Sequence, residues 1–218
     1  MSRSPVVFDL DGTLIDSLPD IHAAVGRMLA AEGRAPLSLG EVGSFVGDGV
    51  AMLIERVADA TGVTQADRKA QMLARFRSEY EQRPTELTTV FAGVHDALAE
   101  LRGRGHALGI CTNKPRSIAL TILDNLGLGG LFCLVIGGDS LPVRKPDPKP
   151  LLATFQGLGA ETGLFVGDSE VDAETALAAG ATFLLFTEGY RKSRVADIAH
   201  RASFEAYARL PVLVGQVI

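Results

Sequence analysis

Asp9 and Asp11 flank a single leucine at the end of an apolar run, Val6-Val7-Phe8, and just ahead of a Gly12-Thr13 turn. Two like charges ~4 Å apart repel by roughly 4 kcal/mol at an effective dielectric near 20. Later apolar runs also end in polar residues: Thr112 and Asn113, then Asp139, then Asp168 and Ser169. Lys145 follows the third run, within Val143-Arg144-Lys145-Pro146. A divalent cation with oxygen ligands would reverse the carboxylate repulsion; Mg²⁺ commonly takes one or two carboxylates, some waters and a substrate phosphate. Lys145 and Thr112 would then offer a cation and a hydroxyl to the remaining phosphate oxygens. The chemistry these residue types suit is metal-assisted work on a phosphate group.

Bringing such distant residues together is the task of the elements that carry them. Five apolar runs read as strands, over 5–12, 107–114, 131–139, 163–169 and 182–189. The stretches 115–127, 149–159 and 169–180 between them read as helices, with Ile118, Ile122 and Leu126 at helical spacing in the first. Another helix is expected near 92–103. Continuously apolar strands alternating with helices describe an α/β fold, an open parallel sheet covered on both faces. Ligands of such sheets gather beyond the carboxyl ends of the strands, which is where the polar residues fall. Residues 16–84 break the alternation. They show no convincing strand and read as helices over 19–31, from Ser38, over 49–60 and over 64–82, with Ser38 and Glu41 fitting a capping box. The expected organisation is a sheet domain, 1–15 and 85–218, with a helical insertion, 16–84, standing over it.

The rest of the composition narrows the class. The chain has 218 residues, a net charge of −5 and 47% hydrophobic residues, which suits a soluble globular protein. No basic stripe or block stands out, so nucleic acid is not an expected partner. No apolar run is long enough to span a bilayer, and no secretory signal is read at the N-terminus; the expectation is a cytoplasmic protein that does not engage membranes, either monomer or homodimer. Cys111 and Cys133 lie in apolar runs and are expected to be small buried hydrophobes. His22, His95, His106 and His200 lie outside the motifs and are expected at the surface or on helices.

Asp9-Leu10-Asp11-Gly12-Thr13, the strand-terminal Thr112, Lys145 ahead of Pro146, and Gly167-Asp168-Ser169-Glu170-Val171-Asp172 resemble, in order, the four signature motifs of the haloacid dehalogenase superfamily. The resemblance covers almost the whole chain. It implies a Rossmann-like core and makes 16–84 the family's all-helical cap domain. It implies that Asp9 is the nucleophile, becoming an aspartyl phosphate, and that Asp11 is the acid and then the base. Asp9, the backbone carbonyl of Asp11, and Asp168 would hold Mg²⁺. Thr112 and Lys145, with the Asn113 amide, would grip the phosphate. Asp172, with Ser169 beside it, would support the metal site from outside the ligand set. Asp139 stays open between a loop residue and a functional one.

Within the superfamily, Asp11 argues for phosphate esters, since the dehalogenases lack that aspartate. Lys69, the lysine of the insertion, reads as an exposed helix residue and not as a Schiff-base former. Thr112-Asn113-Lys114-Pro115, 137–148, 45–50 and Gly189-Tyr190 resemble the phosphoglycolate phosphatase subfamily. That implies hydrolysis of 2-phosphoglycolate, a small phosphorylated metabolite. Pyrophosphatases and β-phosphoglucomutases share the core motifs and stay open as alternatives. A phospho-aspartate receiver domain is the reading from another class, weakened by the length of the chain and by Asp11. For the carboxylate of a small acid, the expected donors are the backbone N–H groups around Gly47 and Gly49, ahead of a helix, with Arg56 on that helix helping. Asp48 would oppose this if it faced the pocket.

Overall fold

The computed structural model describes residues 3–217. Strands β1 (Val6–Phe8), β4 (Leu108–Cys111), β5 (Leu134–Ile136), β6 (Leu164–Gly167), β7 (Thr182–Phe186) and β8 (Ala202–Phe204) form one sheet in the order β5-β4-β1-β6-β7-β8. All of its pairings are parallel, with Phe8 opposite Ile110 on one side and Val166 on the other. Two short strands, β2 (Ile15–Asp16) and β3 (Thr89–Val90), pair antiparallel beside it. Between these two run α1 (Leu18–Ala31), α2 (Leu39–Phe45), α3 (Val50–Ala60) and α4 (Ala66–Gln82); α5 (Val94–Gly103), α6 (Arg116–Asn125), α7 (Lys149–Gly157), α8 (Glu170–Ala179) and α9 (Leu210–Val217) follow.

Side-chain alternation along a strand explains the two covered faces. Val6 and Phe8 of β1 join one core cluster with Leu98 and Leu101 of α5 and Ile122 of α6. Val7 joins another with Leu151 and Phe155 of α7 and Ala173 and Ala176 of α8. With both faces buried, these strands read as unbroken apolar runs, which is why the α/β architecture shows in the sequence.

The differences from expectation lie where that signal fails. β2 and β3 have two residues each, too few to show a period. β8 is an edge strand with half-buried Ala202 and Ser203, so it lacks an apolar run. The strand expected over 131–139 contracts to Leu134–Ile136, with Gly129–Leu131 taken into a 3₁₀ turn. Cys133 corrects an expectation: Cys111 is buried, but Cys133 is exposed, because it enters the sheet's outermost strand. His106 is a second correction. It is 4% exposed, and its Nδ1 lies 2.8 Å from the Ser4 carbonyl, filling the turn ahead of β4.

Two ties position the elements. Asp20 of α1 is buried and accepts hydrogen bonds from the Leu87 and Thr88 backbone and from the Thr88 hydroxyl, joining the first helix of the insertion to the returning chain. Tyr207 is buried among Phe186 and Phe204, at 5.0 and 5.3 Å between ring centroids, and its hydroxyl donates to the Thr13 carbonyl at 2.5 Å. Among the described residues, no helix is long and apolar enough to cross a membrane.

Candidate active site

Asp9, Thr112 and Asp168 each directly follow the last residue of β1, β4 and β6, three neighbouring strands. One register therefore delivers all three to a single edge. Carboxylate oxygens of Asp9, Asp168 and Asp172 lie within 4.8 Å of one another there. Lys145, 3% exposed, reaches Asp9 Oδ1 at 2.9 Å and Asp172 Oδ1 at 2.6 Å. Burial works against its charge, but Asp172 and Asp9 outweigh that and hold the ammonium above its ordinary range.

Asp172 is fully engaged. Its Oδ2 accepts from the backbone of Asp168 and Ser169 and from the Ser169 hydroxyl, completing a capping box at the start of α8. Ser169 is thus the N-cap of that helix, and Asp172 orients both the helix and Lys145. Asp168, 1% exposed, accepts from the Thr13 hydroxyl at 2.7 Å and the Tyr190 N–H at 2.6 Å. Gly12, at φ +79°, passes so close that a Cβ there would lie 2.5 Å from Asp168 Oδ2.

Burial, and then the nearby Asp172, push the Asp9 carboxyl up to about 6 against the pull of Lys145. Burial, followed by Asp172 and Asp9, likewise raises Asp168 well above the carboxylate range. Asp9 Oδ1 is buried and receives no bond of hydrogen-bond geometry, Lys145 included. Crowded carboxylates with a spare oxygen are a donor set that a hard divalent cation suits; bound there, it would remove the strain that raises both values.

Asp11 engages different partners. Its carboxylate accepts from the Ser17 hydroxyl at 2.5 Å and from the Lys114 ammonium at 2.8 and 2.9 Å. Lys114 is buried; desolvation opposes its charge, and Asp11 more than compensates. Lys114, Tyr80, Ser17 and Thr13 have no role in the sequence reading, although Lys114 stands inside the Thr112–Pro115 run noted there. Tyr190, known from sequence only as part of a Gly-Tyr pair, donates its hydroxyl to Asp16 at 2.7 Å and accepts from the Leu18 N–H at 2.9 Å.

A pocket of about 380 Å³ opens over this edge. Asp9, Asp11, Thr112, Asn113, Lys114, Asp168 and Ser169 line one side; Val46, Gly47, Gly49, Leu53, Phe76 and Tyr80 of the insertion line the other. The Asn113 side chain bridges the two, donating to the Lys145 carbonyl at 3.0 Å and the Gly47 carbonyl at 3.1 Å. Its side-chain nitrogen is therefore committed to the protein and not to a phosphate. Gly47 and Gly49 have φ of +119° and +86°, which lets the loop bend into the pocket ahead of α3. Arg56 does not line the pocket. It pairs with Asp48 at 2.5 Å and donates to the Phe45 carbonyl at 2.8 Å, bracing the loop from behind. Asp139 is exposed, and its Oδ1 accepts from the Arg116 N–H at 2.8 Å, capping the first turn of α6.

A parallel sheet with three acids and a buried lysine at its carboxyl edge, under a helical insertion, is a hydrolase arrangement with known kin. Residues 6–186 match the family model of haloacid dehalogenase-like hydrolases, and the chain belongs to that family. It is 51% identical to the phosphoglycolate phosphatase of Cereibacter sphaeroides over 98% of both chains. It is 41% identical to that of Rhodospirillum rubrum, over 96% of this chain and 90% of the other. The crystal structure of a predicted phosphoglycolate phosphatase from Haemophilus somnus superposes with a TM-score of 0.92 at 28% identity, covering 96% of this chain and 97% of that one. Family and relatives together make the chain a phosphatase.

Proposed function

We propose that the chain hydrolyses 2-phosphoglycolate to glycolate and phosphate, with Mg²⁺ held by Asp9, Asp168 and the Asp11 carbonyl. The observation that carries this reading is the edge itself: Asp9 stands buried beside Lys145, with a separate, cation-paired carboxylate, Asp11, on the same side of the pocket. The relatives' names point to the same substrate.

In this reading an Asp9 oxygen attacks phosphorus and the bond to the ester oxygen breaks. Asp11 gives that oxygen its proton, so glycolate leaves as the alcohol. Asp9 now carries the phosphoryl group; Asp11 takes a proton from water, the water oxygen attacks phosphorus, and phosphate leaves with Asp9 restored. Lys145 holds Asp9 in place and faces the transferring group with positive charge, and the Thr112 hydroxyl donates to a phosphoryl oxygen. The cation, when bound, offsets the negative charge that Asp9 and the phosphate bring together. The insertion serves as a cap that closes the pocket and carries substrate choice, with the backbone at Gly47 to Val50 facing the acid end.

Phosphate release from a panel of small phosphate esters, with Mg²⁺ and with chelator, tests this. Highest kcat/KM on 2-phosphoglycolate is expected. Equal rates across the panel would overturn the substrate, and full activity in excess EDTA would overturn the metal.

A further inference from the structure

Tyr80 of α4 is 5% exposed and lines the pocket, yet its buried hydroxyl has no hydrogen-bond partner among the described residues. The Lys114 ammonium sits beside it, 4.9 Å from the ring centroid, near enough for the two groups to act on each other but short of full hydrogen-bond geometry. An ammonium has three donors, and Asp11 takes two of those of Lys114. One donor from the sheet side and one hydroxyl from the insertion therefore meet in the same pocket with no acceptor between them. Buried polar groups carry a desolvation cost when left unpaired, so this pair is suited to a ligand that arrives with an acceptor.

We infer that Lys114 and Tyr80 form a subsite for a carboxylate on the carbon that bears the leaving oxygen. The phosphatase would thereby select phosphate esters of 2-hydroxy acids. This rests on the reading of Asp11 as the acid to the leaving oxygen. Such an acid must lie within about 2.6–3.2 Å of that oxygen. Lys114 lies 2.8 and 2.9 Å from the two Asp11 oxygens, so a carboxylate one carbon from the leaving oxygen falls within its reach. A longer acid must fold back on itself to place its carboxylate there. Arg56, the cation expected from the sequence, is held by Asp48 and the Phe45 carbonyl; Arg77 and Lys192 also line the pocket, but of these cations only Lys114 is bonded to Asp11.

The test is Tyr80→Phe, which removes the hydroxyl and keeps the ring that stacks on Phe76 at 5.7 Å. Steady-state constants are measured for wild type and variant on 2-phosphoglycolate, on ethyl phosphate, which lacks the carboxylate, and on 3-phosphooxypropionate, one methylene longer. Binding of 3-phosphonopropionate, a non-hydrolysable mimic of 2-phosphoglycolate, is compared with binding of propylphosphonate by calorimetry. Wild type should prefer 2-phosphoglycolate to both other esters. In the variant the preference over ethyl phosphate should fall about 10- to 100-fold, mainly through KM, with a matching loss for the carboxylate mimic. Lys114→Gln should slow both esters, because it also strips Asp11 of its partner, and should slow 2-phosphoglycolate further. A wild-type preference that survives Tyr80→Phe unchanged overturns the subsite and leaves the substrate standing. No wild-type preference overturns both.

Discussion

At the sheet edge, each titratable side chain is fixed by a partner. Lys145 joins Asp9 to Asp172, Asp172 caps α8, and Asp168 is fixed by Thr13 and Tyr190. Across the pocket, the insertion offers a spare hydroxyl on Tyr80 and a glycine loop tied to the sheet side by the Asn113 side chain and braced by Arg56. The contrast separates two tasks. Chemistry needs groups whose positions do not change between turnovers. Choice of substrate needs groups whose bonds are completed only when the right ligand arrives. Lys114 stands between the two, bonded to Asp11 and lying over the Tyr80 ring.

Breaking the rigid side should cost most. Asp9→Asn is expected to cut steady-state phosphate release by roughly 10⁴-fold or more while circular dichroism stays unchanged, since loss of a nucleophile removes the whole covalent route. Normal turnover would end its assignment as nucleophile. Lys114→Met should cost roughly 10²-fold or more on alkyl phosphates by disturbing the acid. It should cost much less on p-nitrophenyl phosphate, whose leaving group needs no proton; equal losses would mean that Lys114 does not act through the acid.

The Asp20 tie gives a stability test of the joint between the two sides. Asp20→Ala leaves the Leu87 and Thr88 N–H groups without an acceptor and the Thr88 hydroxyl with only the Pro84 carbonyl, 3.4 Å away, and should lower unfolding free energy by about 3 kcal/mol. Denaturant titration reads it. Asp9 supplies a pH test of similar size. Its carboxyl rises from 3.8 to about 6 in the fold, so the folded chain holds that proton more tightly than the unfolded one. The associated stability is present in full below about pH 4 and is lost as pH rises to about 6, by roughly 2–3 kcal/mol. In EDTA, the melting-temperature advantage of Asp9→Asn over wild type should therefore grow between those values. A gap that shrinks over the same range would contradict the burial argument.

The smallest effect belongs to Arg56. Arg56→Met should lower kcat/KM by roughly two- to fivefold on every ester, because it braces the 45–48 loop through one partly exposed ion pair and touches no substrate. A loss confined to 2-phosphoglycolate would restore it as a carboxylate ligand.

These tests follow the line between what the sequence shows and what it hides. Asp9, Thr112 and Asp168 each terminate a buried apolar strand, so two local signals, the run and the polar stop, mark each of them. The same logic exposes the sheet order's consequence, one shared edge. Tyr80 has no such signal. It lies on α4 among residues at helical spacing, and its partner, Lys114, is 34 positions away in the chain on another element; only the docking of insertion on sheet brings them together. Arg56 is hidden for the opposite reason: its helix shows in the sequence, but which way its side chain turns depends on Asp48. β8 and the β2–β3 pair were hidden because edge and two-residue strands have neither run nor period.

The Tyr207 hydroxyl bond to the Thr13 carbonyl spans 194 positions, and it bears on the order in which a ribosome makes the chain. The turn holding both aspartates is among the first segments to emerge, while the residue that clasps its backbone is among the last. Asp168, likewise, arrives long after Asp9. A nascent chain carrying the insertion and the first strands has Asp9 without its neighbours. Hydrolytic competence is therefore acquired late in synthesis, when the last aromatic layer closes under the turn.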